Sequence, residues 1–126
     1  LTGGSDLIWS LLIAYQVKHF VADYLLQGRW MLGKFKPYPD FILPLLAHSA
    51  VHGLFTLAIA LYVRPELCWV SLVDLAVHFG VDRLKAAPSL GGRWKYHQPQ
   101  YWYALGADQM AHHLCHYWII WMLLTP

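Results

Sequence analysis

Four pairs of ionisable residues, each pair four positions apart, carry the chemistry open to this chain: His19/Asp23, His48/His52, His78/Asp82 and Asp108/His112. Residues four apart lie one turn above each other on one helix face. Each pair therefore offers two inward groups to one ion, or one group to each of two. Five imidazoles and three carboxylates make a mixed nitrogen and oxygen donor set. It suits Zn or Fe, with Mn as a third choice, and disfavours Ca and Mg, which take oxygen ligands. Eight ligands over-saturate one ion, so the expectation is two divalent transition-metal ions with at least one Asp bridging. A single ion with carboxylates behind its His ligands is the smaller version. Two other uses of the same residues are a structural His–Asp network and haem ligation by His48, His52 and His112. The nearby Asp residues weigh against haem, because they add charge to an apolar pocket.

The elements that must position these pairs are apolar. Residues 7–27, 41–63, 66–86 and 100–124 form stretches near the ~20 residues that a bilayer-spanning helix needs. Backbone in lipid must satisfy its own hydrogen bonds, so such stretches are helices. Turn formers punctuate them: Gly28, Gly33, Pro37 and Pro39, then Arg64-Pro65, then Pro88, Gly91, Gly92 and Pro99. Pro44 falls in the first turn of the second helix, where proline is tolerated. Composition agrees. The chain is 58% hydrophobic and 13% charged, with mean hydropathy +0.38, whereas soluble domains carry about 25% charged residues. Seven Trp and eight Tyr suit interfacial belts. A net charge of +2 without a Lys/Arg run excludes a nucleic-acid partner. Cys68 and Cys115 form no CxxC motif and read as free thiols. The first apolar segment carries Lys18, His19 and Asp23 and lacks a small-residue cleavage site, so it does not read as a signal peptide.

Charge asymmetry predicts the orientation. Arg29, Lys34 and Lys36 follow the first stretch, and Arg83, Lys85, Arg93 and Lys95 surround the end of the third. The opposite side has Arg64. The positive-inside rule makes both basic loops cytoplasmic and both termini external, in a multi-pass protein of the bacterial inner membrane. Counted from the cytoplasmic helix ends at a rise of ~1.5 Å per residue, all eight ionisable groups fall within ~6–18 Å, in the cytoplasmic half. Three Asp residues at one depth, with no equal number of Lys or Arg there, demand positive charge from a metal or from protonated His.

The halves repeat. His19-Phe20-Val21-Ala22-Asp23-Tyr24-Leu25 and His78-Phe79-Gly80-Val81-Asp82-Arg83-Leu84 both read HFxxDxL, at an offset of 59. Ala47-His48 with His52 matches Ala107-Asp108 with His112, at an offset of 60. The expected fold is all-α: one transmembrane domain over residues 1–126, a four-helix bundle of two hairpins, about 7–64 and 66–124. A pseudo-two-fold axis along the membrane normal relates them.

Other polar residues take supporting roles. Gln27 and Gln109 flank the pairs and are placed to orient ligands or substrate, with Arg83 and Lys85 either to hold a lipid phosphate or to anchor the helix end. Lys18 and Asp74 are deep enough to pair structurally. His113 is expected to turn away from the Asp108/His112 stripe, His116 to pack as a core residue, and His97 to be solvated.

The chain resembles a family of small bacterial and phage-encoded membrane proteins of unknown function. The likeness rests on His19-xxx-Asp23 with Leu25-Leu26-Gln27, on His48, on His78-xxx-Asp82 with Lys85, and on Asp108-Gln109-xx-His112. It covers nearly the whole chain and implies no reaction. More loosely, the chain is similar to membrane-embedded metal-dependent hydrolases. His48-xxx-His52 and His112-His113-xx-His116 are similar to the histidine boxes of lipid hydroxylases and desaturases, without the full set. The expected function is a metal-dependent membrane hydrolase acting on a lipid or lipid-linked substrate from the cytoplasmic leaflet. Its metal would bring water to a pKa near ~7. Asp23, Asp82 and Asp108 would serve as ligands, bridges or general base. The alternative is a non-enzymatic module: a metal-binding or metal-transporting bundle, a homo-oligomer, or an accessory subunit of a larger membrane complex.

Overall fold

Apolar runs bounded by Gly and Pro fold into four α-helices in a computed structural model that describes residues 3–126: α1 (Gly4–Phe20), α2 (Ile42–Val63), α3 (Val70–Ala86) and α4 (Pro99–Leu124). Among the described residues there is no strand. Proline opens α4 at a position where its missing N–H breaks no helical hydrogen bond. Three short 3₁₀ turns, Arg29–Phe35, Pro65–Leu67 and Gly91–Arg93, fill the connections. α1 does not stop at Phe20 but widens into one π-helical turn, Val21–Leu25, where the Leu26 N–H donates to the Val21 carbonyl at 2.9 Å.

The helices pack unequally. α2 and α3, joined by the tight 64–69 connection, make the most extensive contact, and α1 touches α2 only sparsely. Gly53 permits the close α2–α3 approach, since a Cβ there would lie 3.2 Å from both Leu75 Cβ and the Ser71 carbonyl oxygen. Gly33 likewise sits against Pro44, which a Cβ would meet at 2.8 Å, so the first 3₁₀ turn lies on the start of α2.

The interior has two storeys. At the end bearing the 64–69 connection, Leu11, Tyr15, Ala60, Val70, Cys115, Ile119, Ile120 and Leu123 form an apolar cluster. At the other end the interior is polar, with Lys34, His48, His52, His78, Asp82, Asp108 and His112 all buried. The outside is the reverse: Trp9, Ile13, Leu43, Leu54, Leu72, Leu114 and Trp121 are exposed. Water-facing surfaces are not normally covered this way. Of the four spans expected from sequence, one helix, α2, is long and apolar enough to cross a membrane by length and composition. α1 and α3 have 17 residues each, and buried polar groups, Lys18 and His19 in α1 and Asp74, His78 and Asp82 in α3, lower their hydropathy.

Candidate metal centre

Stacking of i,i+4 residues on four helices builds the polar storey in layers. Nearest the open end lie Asp23, His48, Asp82 and Asp108. One turn deeper lie His19, His52, His78 and His112. The π-turn places Asp23, and such turns occur often at functional sites. The Asp23 carboxylate is surrounded by imidazoles. Its Oδ1 lies 2.8 Å from His52 Nε2 and 3.3 Å from His48 Nε2. Its Oδ2 lies 3.2 Å from His19 Nε2. The His48 nitrogen is also 3.3 Å from Asp82 Oδ2. Asp82 Oδ1 is 3.3 Å from His112 Nε2, which is 3.9 Å from Asp108 Oδ1. All eight residues expected from the sequence are therefore buried or half-buried together in one half of the bundle.

Three groups among the described residues have ligand atoms within 4.8 Å of one another: Asp23/His48/His52, Asp82/Asp108/His112 and His52/His78/His116. Donors at ~2.0–2.2 Å from one tetrahedral ion stand ~3.3–3.6 Å apart. The 3.3 Å separations around Asp23 and Asp82 are near that spacing. Tautomers fit as well. His78 Nδ1 donates to the Asp74 carbonyl at 3.0 Å, which leaves Nε2 as the lone-pair nitrogen, buried and without a hydrogen bond. A backbone carbonyl that accepts from one ring nitrogen commonly orients the other toward a metal in this way. Neither ring nitrogen of His112 makes a hydrogen bond, an unusual state for a buried polar group. Buried His/Asp clusters of this composition could hold a metal ion.

Charge balance differs from the sequence expectation. Lys34 was counted there as a loop cation, but it is buried, with Nζ 3.0 Å from Asp82 Oδ2 and 2.8 Å from Gln27 Oε1. Lys85 Nζ lies 3.6 Å from Asp108 Oδ2. Two of the three carboxylates thus have a lysine at their own depth. Asp23 does not: its ion-pair partners among the described residues are His19, His48 and His52. Protonated His supplies at most part of the missing charge: His48 lies 3.3 Å from both Asp23 and Asp82 and is placed to carry a proton, but the stacked rings of the layer below it cannot all do so. The His52 and His78 rings stack at 3.7 Å and those of His78 and His112 at 4.1 Å, and like charges this close in a dry interior repel strongly.

The supporting residues divide. Gln109 accepts a hydrogen bond from His19 Nε2 at 2.7 Å and donates to Asp108 at 3.0 Å, tying two ligand pairs together. Gln27 donates to the Asp23 carbonyl at 3.3 Å. Arg83, grouped in the sequence with the phosphate-binding residues, turns to the linker instead. It donates to the carbonyls of Lys34 and Lys36 at 3.1 and 2.9 Å and lies 3.6 Å above the Phe41 ring. This clamp holds the turn that inserts Lys34. His113 is half-buried with its ring 5.1 Å from that of His19, so it does not turn away as expected. His97 is exposed.

Below the His layer is a floor that sequence reasoning read only in part. Lys18 and Asp74 pair at 2.7 Å, as expected. Lys18 also lies 2.9 Å from His116 Nε2, Thr56 donates to Asp74, and the Tyr15 hydroxyl is 3.1 Å from Thr56 Oγ1. His116 continues the Asp108/His112 ladder at i,i+4 and is buried in the core, as the sequence indicates. At the open end of the polar storey, a cavity of about 140 Å³ opens between Asp23, Gln27, Lys34, Asp82, Lys85, Asp108 and Gln109.

The family described as "Protein of unknown function (DUF3307)" matches residues 11–125, and the chain belongs to it. No curated protein and no solved structure matches the chain.

Proposed function

We propose that this protein is a metal-dependent integral membrane enzyme that hydrolyses a lipid or lipid-linked substrate from the cytoplasmic face. The observation that carries this reading is that the donor set lies in a cul-de-sac. The Asp23/His48/His52 and Asp82/Asp108/His112 groups open on the 140 Å³ polar cavity at one end. At the other end Ala60, Val70, Ile119 and Ile120 close the bundle with apolar side chains. A channel needs a polar route through to both faces, whereas an enzyme needs one mouth.

In this reading all four helices cross the bilayer, with both termini external. The exposed apolar side chains support the lipid setting, and the inward polar groups are what intramembrane sites require. The hairpin repeat is part of the same proposal. Its offsets of 59 and 60 also relate Tyr15 to Asp74 and Thr56 to His116, the four residues that meet in the floor. Asp23, His48 and His52, with His19 beside them, would hold the first ion, because Asp23 has no lysine. Asp82, Asp108 and His112 would hold a second once Lys34 and Lys85 turn from their carboxylates. An ion there supplies Lewis acidity toward a carbonyl or phosphoryl oxygen and acidifies water. Lys34 and Lys85 then face charge that develops in the cavity, Gln27 and Gln109 orient the reacting group, and Asp108 accepts a proton.

The test is the metal content of protein purified in detergent without chelators, by plasma mass spectrometry, together with hydrolysis of a panel of ester and phosphoester lipids. About one or more Zn or Fe ions per chain, with turnover lost in Asp23→Asn, is expected. Less than about one ion per chain overturns the enzyme reading, because the proposed chemistry has no other electrophile.

A further inference from the structure

The bundle has a second opening, on its side. A groove of about 390 Å³ runs between α3 and α4 and ends against the 3₁₀ turn Gly91–Arg93. Its volume falls in the ~300–1,000 Å³ range of small-molecule sites. Small residues on one face of α4, Ala104, Ala107 and Ala111, hollow out one wall, and Val81 and Leu84 supply the other. The connecting turn lies flush against the end of α3, because Gly91 touches the Lys85 backbone so closely that a Cβ would meet the Lys85 carbonyl oxygen at 2.4 Å. That contact sets Arg93 at the mouth.

The groove is polar at one end only. Arg93 and Lys85 stand at the loop end, and the Ala111 end is apolar. Arg93 makes no ion pair among the described residues, and its guanidinium lies 4.9 Å from the Trp94 ring. Tryptophan and arginine together are typical of the headgroup level. Asp108 also lines the groove, 4% exposed, and its Oδ1 makes no hydrogen bond. Two cations against one carboxylate leave a single positive charge at the mouth. Lys85 and Asp108 also line the polar cavity, so the groove meets the metal-ligand layer at those two residues.

From this we infer that the α3–α4 groove is the substrate subsite for one acyl chain of an anionic glycerophospholipid, with Arg93 and Lys85 receiving its phosphate and Asp108 marking the passage to the reacting group. The inference rests on the lipid-enzyme reading and names its substrate class. Orientation supports it, because cations at the loop end and apolar walls deeper in match a phospholipid standing in the cytoplasmic leaflet. It also reassigns the anion-binding role from Arg83, which the linker occupies, to Arg93.

The experiment titrates the full chain in detergent with palmitoyl-lysophosphatidylglycerol or palmitoyl-lysophosphatidylcholine, read by native mass spectrometry, alongside metal content. One anionic lysolipid per chain is expected, bound about fivefold more tightly than the zwitterionic one, since a cation at the surface is worth ~1 kcal/mol and one net positive charge acts here. Arg93→Gln should remove most of that preference. Ala107→Trp, which fills the groove, should abolish binding of both lipids while leaving metal content at the wild-type level. Equal affinity for the two lipids, or unchanged binding in Ala107→Trp, overturns the inference. So does a dimer that Ala107→Trp splits and that binds no lysolipid, because the groove is then an interface between two copies. Metal without lipid binding defeats this inference alone. Lipid binding without metal defeats the enzyme reading and leaves the groove assigned.

Discussion

Asp23→Asn separates a metal ligand from a member of a hydrogen-bonded network by the conditions under which it does damage. In chelator, two effects oppose each other. The substitution removes a largely buried carboxylate that has no lysine or arginine partner, and an uncompensated charge of that kind is unfavourable by several kcal/mol. It also leaves one neutral acceptor oxygen where a carboxylate faced His52, at 2.8 Å, and the neighbouring His48 and His19, so these contacts lose the charge assistance that strengthens them. The side chain is 15% exposed, so both effects are partial and the net change should stay within ~1 kcal/mol. With zinc present at about a hundredfold its dissociation constant, the wild type gains ~2.7 kcal/mol by mass action and a variant that cannot bind gains nothing. Unfolding entropies of ~2.1 cal/mol/K per residue convert that gain into a melting difference of roughly 10 °C for a chain of 126 residues. The assay is thermal unfolding in one detergent, with chelator and with zinc. A gap between wild type and Asp23→Asn that opens from a few degrees to about ten on adding zinc supports ligation. A gap of the same size in both buffers refutes it, and assigns Asp23 to a His–Asp network.

Three further outcomes follow from the packing. Lys34→Met should destabilise the protein by ~3–5 kcal/mol, since it strands the buried Asp82 carboxylate. The double variant Lys34→Met/Asp82→Asn should recover most of that loss in chemical denaturation. Arg83→Ala removes two hydrogen bonds to the carbonyls of Lys34 and Lys36 and the contact with Phe41, so limited proteolysis should cut faster between residues 29 and 36. Gly92→Ala drives a Cβ to 2.3 Å from the Ala86 carbonyl oxygen. It should lower stability by ~1–3 kcal/mol, whereas Gly80→Ala, with open space around it, should be neutral or stabilising.

What could be read from the sequence was what depends on period and length. The helix bodies follow from apolar runs ended by Gly and Pro, and the shared depth of the eight ionisable groups follows from their register on those runs. What could not be read depends on where the chain goes between helices. Lys34 looked like a topology marker because its loop seemed solvated. It is buried because Gly33 lets the turn sit on Pro44 and Arg83 holds the turn from α3. Neither contact leaves a periodic trace. The π-turn at Asp23 is equally silent, since His19-xxx-Asp23 and His78-xxx-Asp82 are the same string and only the first is π-helical. Arg83 was misplaced for a related reason: adjacency to Asp82 in sequence says nothing of direction, and successive helical residues do not share a face.

The floor of the site shows how a repeated sequence comes to make a one-ended chamber. In the two upper layers three of the four pairs related by 59 or 60 positions are identical, Asp23 with Asp82, His19 with His78 and His52 with His112, and the fourth, His48 with Asp108, exchanges one metal-ligating type for another. One layer deeper the likeness ends, with Tyr15 against Asp74 and Thr56 against His116. The unlike residues complete one another. Thr56 donates to Asp74, Tyr15 packs its ring 4.9 Å from His116, and Lys18 reaches both Asp74 and His116. The carboxylate in this layer is therefore neutralised from within the layer and needs no ion. One turn beyond, Leu11, Ala60, Val70 and Ile120 leave no polar group at all. Divergence at four positions thus turns a ladder that would otherwise continue through the bundle into a closed floor, while the layers above it keep a His or Asp at every related position and an open mouth.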